Sequence, residues 1–325
     1  MKVILGTPVF AVPKPWHYFE VPAIMVNAYD MLTKNVLARG ETTIHELLQC
    51  DIKYEIWIDS GGYQFLRHGI EPPLEKIVQI YRRFGEARYF LNVDYPPSPQ
   101  DDENLLRKKL EKSYRNYVKL LKEVEGCVVP VLHYHYREDI VLEYLKKYLE
   151  HSPEIIAVGA LVPYVLILRG VKGNSRLRAL SFLKRLVDEV GGKVKIHVLG
   201  LGSPIIIPIL EAIGVSSTDS STWRVKAAYG KIVLPGGGEI HVTNRRVNFG
   251  KRKATESDLA EVRSFLVSHG FPLVDRFDLI YSSFEYRALV NAFIVVHSRV
   301  PPRSSAFRKI WKLVCEGRLV ETSCR

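Results

Sequence analysis

The chain has 325 residues, 47% hydrophobic and 25% charged, a composition that supports a buried core and excludes a disordered or low-complexity polypeptide. Lys and Arg outnumber Asp and Glu by 46 to 35, a formal net charge of +11, which favours polyanionic partners, nucleic acid first among them. No apolar run is long enough to span a bilayer, and Cys50, Cys127, Cys315 and Cys324 lack CxxC spacing, so no membrane contact is expected and the thiols fit a reducing cytoplasm.

The first twenty residues, "MKVILGTPVFAVPKPWHYFE", are broken by proline too early for a signal segment. Strand-like and helix-like segments then alternate. Strands are predicted at 23–29 ("AIMVNAY"), 55–61 ("EIWIDSG"), 88–95 ("RYFLNVDY"), 127–135 ("CVVPVLHYH"), 154–161 ("EIIAVGAL"), 195–202 ("KIHVLGLG") and 214–221 ("GVSSTDSS"). Helical spacing of apolar residues marks 73–85, 104–126, 137–152 and 175–192, the last stopping at a Gly pair.

This alternation means right-handed βαβ units and a parallel sheet. The strands are near-continuous apolar runs, as befits a sheet covered on both faces. Seven such units in about 220 residues fit an α/β fold of the (β/α)8 TIM-type barrel. A doubly wound sheet is the alternative, but no GxGxxG follows the first strand. After residue 222 the rhythm changes. A β-hairpin is expected at 231–245 around Pro235 and a glycine triplet, followed by helices near 255–269, 282–298 and 304–316. The whole, 1–325, reads as a single barrel domain whose portion 223–325 is a basic hairpin-plus-helices extension.

Polar residues and glycines recur at one level, the C-terminal end of each apolar run. Asp59 ends "IWID", Asp94 ends "FLNVD", His133 and His135 end "VVPVLHYH", Gly159 ends "IIAVG", and Gly200 and Gly202 end "HVLGLG"; Asp219 sits in the last short strand. In a barrel these ends converge on one face, where the active sites of this architecture lie. Any one of these aspartates alone is more often a turn or helix cap than a catalyst. The set argues otherwise.

The residues "DSGGYQ", "NVDYPPSP", "VGALV", "HVLGLGSP" and "GVSSTDSST", in that order, resemble the tRNA-guanine transglycosylase superfamily. The resemblance implies a (β/α)8 enzyme that exchanges guanine in nucleic acid for a 7-deazaguanine base. It implies that Asp59, within "DSGG" (Ser60, Gly61, Gly62), is the general acid/base and Asp219 the nucleophile. Tyr63 and Leu199 would sandwich the base, with Gly200 beside them, and Asp94 would read its N1 and 2-amino edge. His133, where the family has Gln, and the loop of Gly159, Ala160 and Leu161 would address O6. The chemistry asks for the same types: a carboxylate nucleophile at an oxocarbenium-like centre, a second carboxyl group to move a proton, and an acceptor-only carboxylate for guanine's donors. Three carboxylates together should raise the pKa of one.

The chain departs from the tRNA-modifying pattern. It has no CxCxxC cluster, so neither a metal nor another cofactor is expected, and its basic C-terminal portion looks more like a DNA-modifying branch. DNA is therefore the favoured partner, with tRNA the alternative; whether the chain acts as a homodimer or beside a partner subunit is left open. Arg224, Arg245, Arg246, Lys251, Arg252 and Lys253 are the candidate phosphate contacts. His133 and His135, two apart on a strand, face one side, with His133 reading the base and His135 packing or touching phosphate. A competing reading is a (β/α)8 enzyme that processes a small nucleoside or glycoside, its basic tail unrelated to catalysis. A silent nucleic-acid-binding subunit is disfavoured by the three aspartates.

Overall fold

A computed structural model describes residues 1–40, 42–168, 171–246 and 250–320. Cys324 and positions 247–249 of the basic stretch lie outside the described residues. Nine parallel strand segments form one sheet: β1 (Lys2–Gly6), β2 (Ile24–Asn27), β3 (Ile56–Asp59), β4 (Tyr89–Leu91), β5 (Cys127–Val129), β6 (Val131–His133), β7 (Ile155–Gly159), β8 (Lys195–Val198) and β9 (Ser217–Ser220). Their order is β5-β4-β3-β2-β1-β9-β8-β7-β6. The two ends of this order, β5 and β6, are one run of chain interrupted at Pro130. Proline has no N–H to donate, so the ladder to β4 stops there, while its carbonyl accepts from Ala157 N at 2.9 Å and starts the ladder to β7. The sheet thus forms an eight-staved barrel.

The eighth stave is the one the sequence pattern does not mark. "KVILG" is only five residues long, too short to show a period, and it sits between β2 and β9. The other strands and the long helices appear where predicted, at Leu74–Arg83, Glu103–Glu123, Glu138–Leu149 and Ser175–Val190. The second of these starts at the Asp102 cap, whose carboxylate accepts from Leu105 N at 2.8 Å. Short helices directly after the strand ends, such as Gly62–Arg67 and Thr222–Ala228, are too brief to show a periodic pattern.

Alternation along each strand sorts its side chains into two cores. Val3, Leu5, Ile24, Val26, Ile56 and Ile58 face the surrounding helices, whereas Ile4, Met25, Trp57, Tyr89, Leu91, Val129, Val131 and Ala157 fill the barrel. This parity carries upward: the residues two past Met25, Trp57, Val131 and Ala157 are Asn27, Asp59, His133 and Gly159, all inward at the barrel mouth.

The C-terminal portion completes the outer layer. β10 (Lys231–Val233) and β11 (Glu239–His241) form the expected antiparallel hairpin. The helix Phe284–His297, buried along most of its length, packs on β1, β10 and Thr222–Ala228. Buried Asn291 joins these pieces: its Oδ1 accepts from Val233 N at 2.8 Å and its Nδ2 donates to the carbonyls of Trp223 and Lys231 at 3.0 and 3.1 Å. Among the described residues no helix is long and apolar enough to cross a membrane.

Candidate active site

Asp59 is the last residue of β3, delivered to the mouth by the inward parity that buries Trp57 below it. The chain then turns at Gly61 (φ +75°), and the Gly61 N–H donates to Asp59 Oδ2 at 3.1 Å. The aspartate therefore serves as a turn residue and faces the mouth as well. Burial is the main force that raises its pKa to about 7, with the nearby carboxylates of Asp94 and Asp219 adding to it and the amides of Gly61 and Ser60 opposing. This is the raised carboxyl that the crowding of three aspartates calls for.

Asp94 is buried and lies three residues beyond the end of β4. Ser60 Oγ donates to its Oδ1 at 3.1 Å, and Nε2 of His133 lies 2.9 Å from its Oδ2. That second contact is off the hydrogen-bonding axis, so neither nitrogen of buried His133 has a hydrogen-bond partner among the described residues. Asp219, on β9, is fixed by the Gly200 N–H, which donates to its Oδ1 at 2.7 Å.

The glycines at this level make room within the fold itself. A Cβ on Gly62 would stand 2.6 Å from the Asp94 carbonyl oxygen and 2.8 Å from Asp94 Oδ1. One on Gly159 would stand 2.7 Å from His133 Nδ1, and one on Gly202 would stand 2.5 Å from the Asp219 carbonyl. They let neighbouring chain segments pack tightly enough to place Asp94, His133 and Asp219. Gly61, likewise, abuts Tyr29.

A cavity of about 380 Å³ opens beside Asp59 and Asp219. Thr7, Asn27, Gln64, Ser221 and Arg224 supply its polar lining, and Met25, Val225 and Phe284 its apolar walls. It lies toward β1 and β2, away from Asp94 and His133, so the two carboxylates stand between an open cavity and a closed polar pair. Tyr63 is 62% exposed and does not line the cavity; its neighbour Gln64 does. Leu199 is half-buried beside Gly159, Ala160 adopts a left-handed φ of +57°, and the Leu161 side chain is fully buried.

His135 does not join His133 at the mouth. The strand ends at His133, and His135 is buried with its Nδ1 accepting from Arg137 N at 3.2 Å. Burial lowers its pKa. Two participants escaped the sequence reading. Thr7 follows the unmarked strand β1, and His197, inward on β8 two residues before Leu199, was visible to the strand period alone.

The six candidate cations divide. Arg224 reaches the cavity, donates to the Val12 carbonyl and lies 5.0 Å from the Phe284 ring. Arg245 donates to the Ala228 carbonyl and lies 5.7 Å from the Tyr229 ring. Arg252 binds both oxygens of Asp258 at 2.8 and 2.9 Å, and Lys253 donates to the Thr243 carbonyl at 2.7 Å. Arg246 and Lys251 are exposed.

With this geometry in place, similarity to known proteins becomes informative. The chain is 24% identical over 218 residues to the tRNA-guanine(15) transglycosylase of Nanoarchaeum equitans, covering 66% of this chain and 50% of that enzyme. It is 26% identical over 254 residues to the enzyme of the same name from Thermococcus onnurineus, covering 73% and 40%. These similarities support the tRNA-guanine transglycosylase superfamily. The match spans half or less of the length of these archaeal members of the superfamily. It is also 26% identical over 251 residues to Uncharacterized protein 306 of Sulfolobus islandicus rod-shaped virus 1, covering 76% of this chain and 72% of that protein. No protein-family model matches the chain.

Proposed function

We propose that the protein is a nucleic-acid guanine transglycosylase that works through a covalent aspartyl intermediate. The observation that carries the reading is the pairing of an amide-fixed carboxylate, Asp219, with a carboxyl group of pKa about 7, Asp59, on one cavity. A carboxylate oriented by an N–H can attack C1′ of a guanosine unit. Asp59 in its protonated form gives a proton to the departing base as the C1′–N bond breaks and its electron pair leaves with that base. The incoming base then yields its proton to the ionised Asp59 and attacks C1′, and the ester electron pair returns to Asp219. A group titrating near neutrality suits both directions of this transfer.

Asp94, held by Ser60, is the acceptor for the base's paired donors, and His133 stands beside it to meet O6. For that, the base must take over the Asp94 oxygen that His133 now approaches. Tyr63, exposed at the mouth, can fold onto the base opposite Leu199, and the cavity toward Arg224 takes the sugar-phosphate of the extruded nucleotide.

The polymer is the finer part of the reading. We favour DNA, with a 7-deazaguanine as the incoming base, because the segment after Asp219 carries a basic stretch at 244–253 and no Cys/His cluster in its sequence. The tRNA alternative is supported by the names of the archaeal relatives. Incorporation of labelled guanine, run side by side on duplex DNA, single-stranded DNA and unmodified tRNA, tests both levels. Exchange into DNA alone supports the whole reading, and exchange into tRNA alone replaces the polymer. Exchange into none ends the transglycosylase reading. Asp219→Asn is expected to form no covalent adduct with the active polymer.

A further inference from the structure

Beneath the mouth lies a titratable group that the mechanism above leaves idle. His197 is inward on β8, one layer below Leu199, and wholly buried. Its ring centroid is 4.8 Å from that of Trp57, which holds it in the barrel interior. Its Nδ1 lies 2.9 Å from Ser217 Oγ on β9, the residue directly across the ladder. Its Nε2 has no hydrogen-bond partner among the described residues and lies 3.5 Å from Asp219 Oδ1.

Chemistry selects the tautomer. An ionised carboxylate only accepts, so an unprotonated Nε2 would set lone pair against lone pair. The proton therefore belongs on Nε2, and Ser217 donates its hydroxyl hydrogen to Nδ1. Oδ1 of Asp219 then faces two N–H groups, the Gly200 amide at 2.7 Å and the imidazole at 3.5 Å. Among the described residues Oδ2 has no donor. A buried donor beside one oxygen, close to it but short of hydrogen-bond geometry in this structure, needs only a small shift to bind that oxygen and orient a nucleophile.

We propose that His197 is a positioning residue for Asp219: its Nε2–H closes on Oδ1 so that Oδ2 is presented to C1′. The proposal rests on the reading of Asp219 as nucleophile. As the C1′–Oδ2 ester breaks in the second half-reaction, the electron pair returns to the carboxylate, and the Nε2–H stands beside the regenerated charge. The groups facing Asp219 are Asp59 from β3, His197 from β8, the Gly200 amide and, across the same cavity, Arg224 from Thr222–Ala228. A charged Asp59 repels the Asp219 carboxylate, whereas the N–H groups of His197 and Gly200 attract it.

The test compares His197→Phe, which keeps a ring beside Trp57 but loses both nitrogens, with His197→Gln, whose amide can still donate. Carboxyl-region ¹³C NMR of aspartate-labelled protein, with Asp219 assigned by its loss in Asp219→Asn, reads the carboxylate without requiring activity. In His197→Phe the Asp219 carboxyl resonance is expected to move from its wild-type position, and in His197→Gln to return most of the way. For guanine exchange, kcat is expected to fall about 10- to 100-fold in the Phe variant with KM nearly unchanged, and to recover largely in the Gln variant. Ser217→Ala, which frees Nδ1, should move the resonance the same way by less. An unmoved resonance in a folded His197→Phe overturns the proposal, as does a Gln variant as impaired as the Phe variant. If His197→Phe does not fold, an unmoved resonance in Ser217→Ala overturns it. A wild type that exchanges guanine into neither DNA nor tRNA sinks the proposed function instead, while the NMR result still decides the role of His197.

Discussion

Replacing Asp59 by Asn removes a carboxyl group that the fold holds against its preference for water. Its pKa of about 7 in the folded protein compares with 3.8 for the ordinary side chain. The folded state therefore binds this proton more tightly than the unfolded state does, and stability falls as pH rises from about 4 to about 7, then levels off. At about 1.4 kcal/mol per unit, a shift of this size corresponds to ~4 kcal/mol of destabilisation at pH 8, and relaxation around the charge reduces this to about half. The Asn side chain in the variant keeps an oxygen to accept from Gly61 N and carries no charge to repel Asp94 or Asp219. Chemical denaturation of wild type and Asp59→Asn at pH 4, 6 and 8 measures the difference. The variant should match the wild type at pH 4, gain on it through pH 6, and be ~2–4 kcal/mol more stable at pH 8, while losing guanine exchange. A stability difference that does not change between pH 4 and pH 8 would refute the assignment of a raised pKa to this residue.

Gly202→Ala places a Cβ 2.5 Å from the Asp219 carbonyl, so the backbone of the proposed nucleophile must move; exchange should fall at least ~10-fold with a stability loss of ~1–3 kcal/mol by thermal melting. Gly62→Ala makes the same kind of conflict at Asp94 and should weaken guanine binding, read as a raised KM. For nucleic-acid affinity measured against salt, Arg246→Ala and Lys251→Ala should each lower the slope of log K against log[salt] by about 1 if that side chain meets a phosphate. Arg252→Ala instead loses its two bonds to Asp258 and, with the guanidinium largely in solvent, should cost within ~1 kcal/mol of stability.

Much of the architecture was legible in the sequence because buried parallel strands and amphipathic helices impose different periods on a chain. Seven strands, four long helices, the glycine hairpin and the late helices follow from that contrast and the turn residues between them. The aspartates at 59 and 94 were legible because each ends an apolar run, and Asp219 because it lies in the last predicted strand, at 214–221. What the sequence could not determine depends on which segments meet. β1 needed its neighbours β2 and β9 to be recognisable as a stave, since a five-residue strand alone has no period to speak of. The glycines' purpose, making room for Asp94, His133 and Asp219, arises between segments far apart in sequence. The cations look alike in sequence, yet Asp258 holds one of them, while backbone carbonyls and aromatic rings hold others. The raised pKa of Asp59 comes first from its burial at the barrel mouth, with carboxylates from two other strand ends adding to it, and the His197–Asp219 contact required two adjacent staves in register. A linear sequence records residue types and periods. Distances across a closed barrel, and the burial that turns them into chemistry, exist only once the chain has folded.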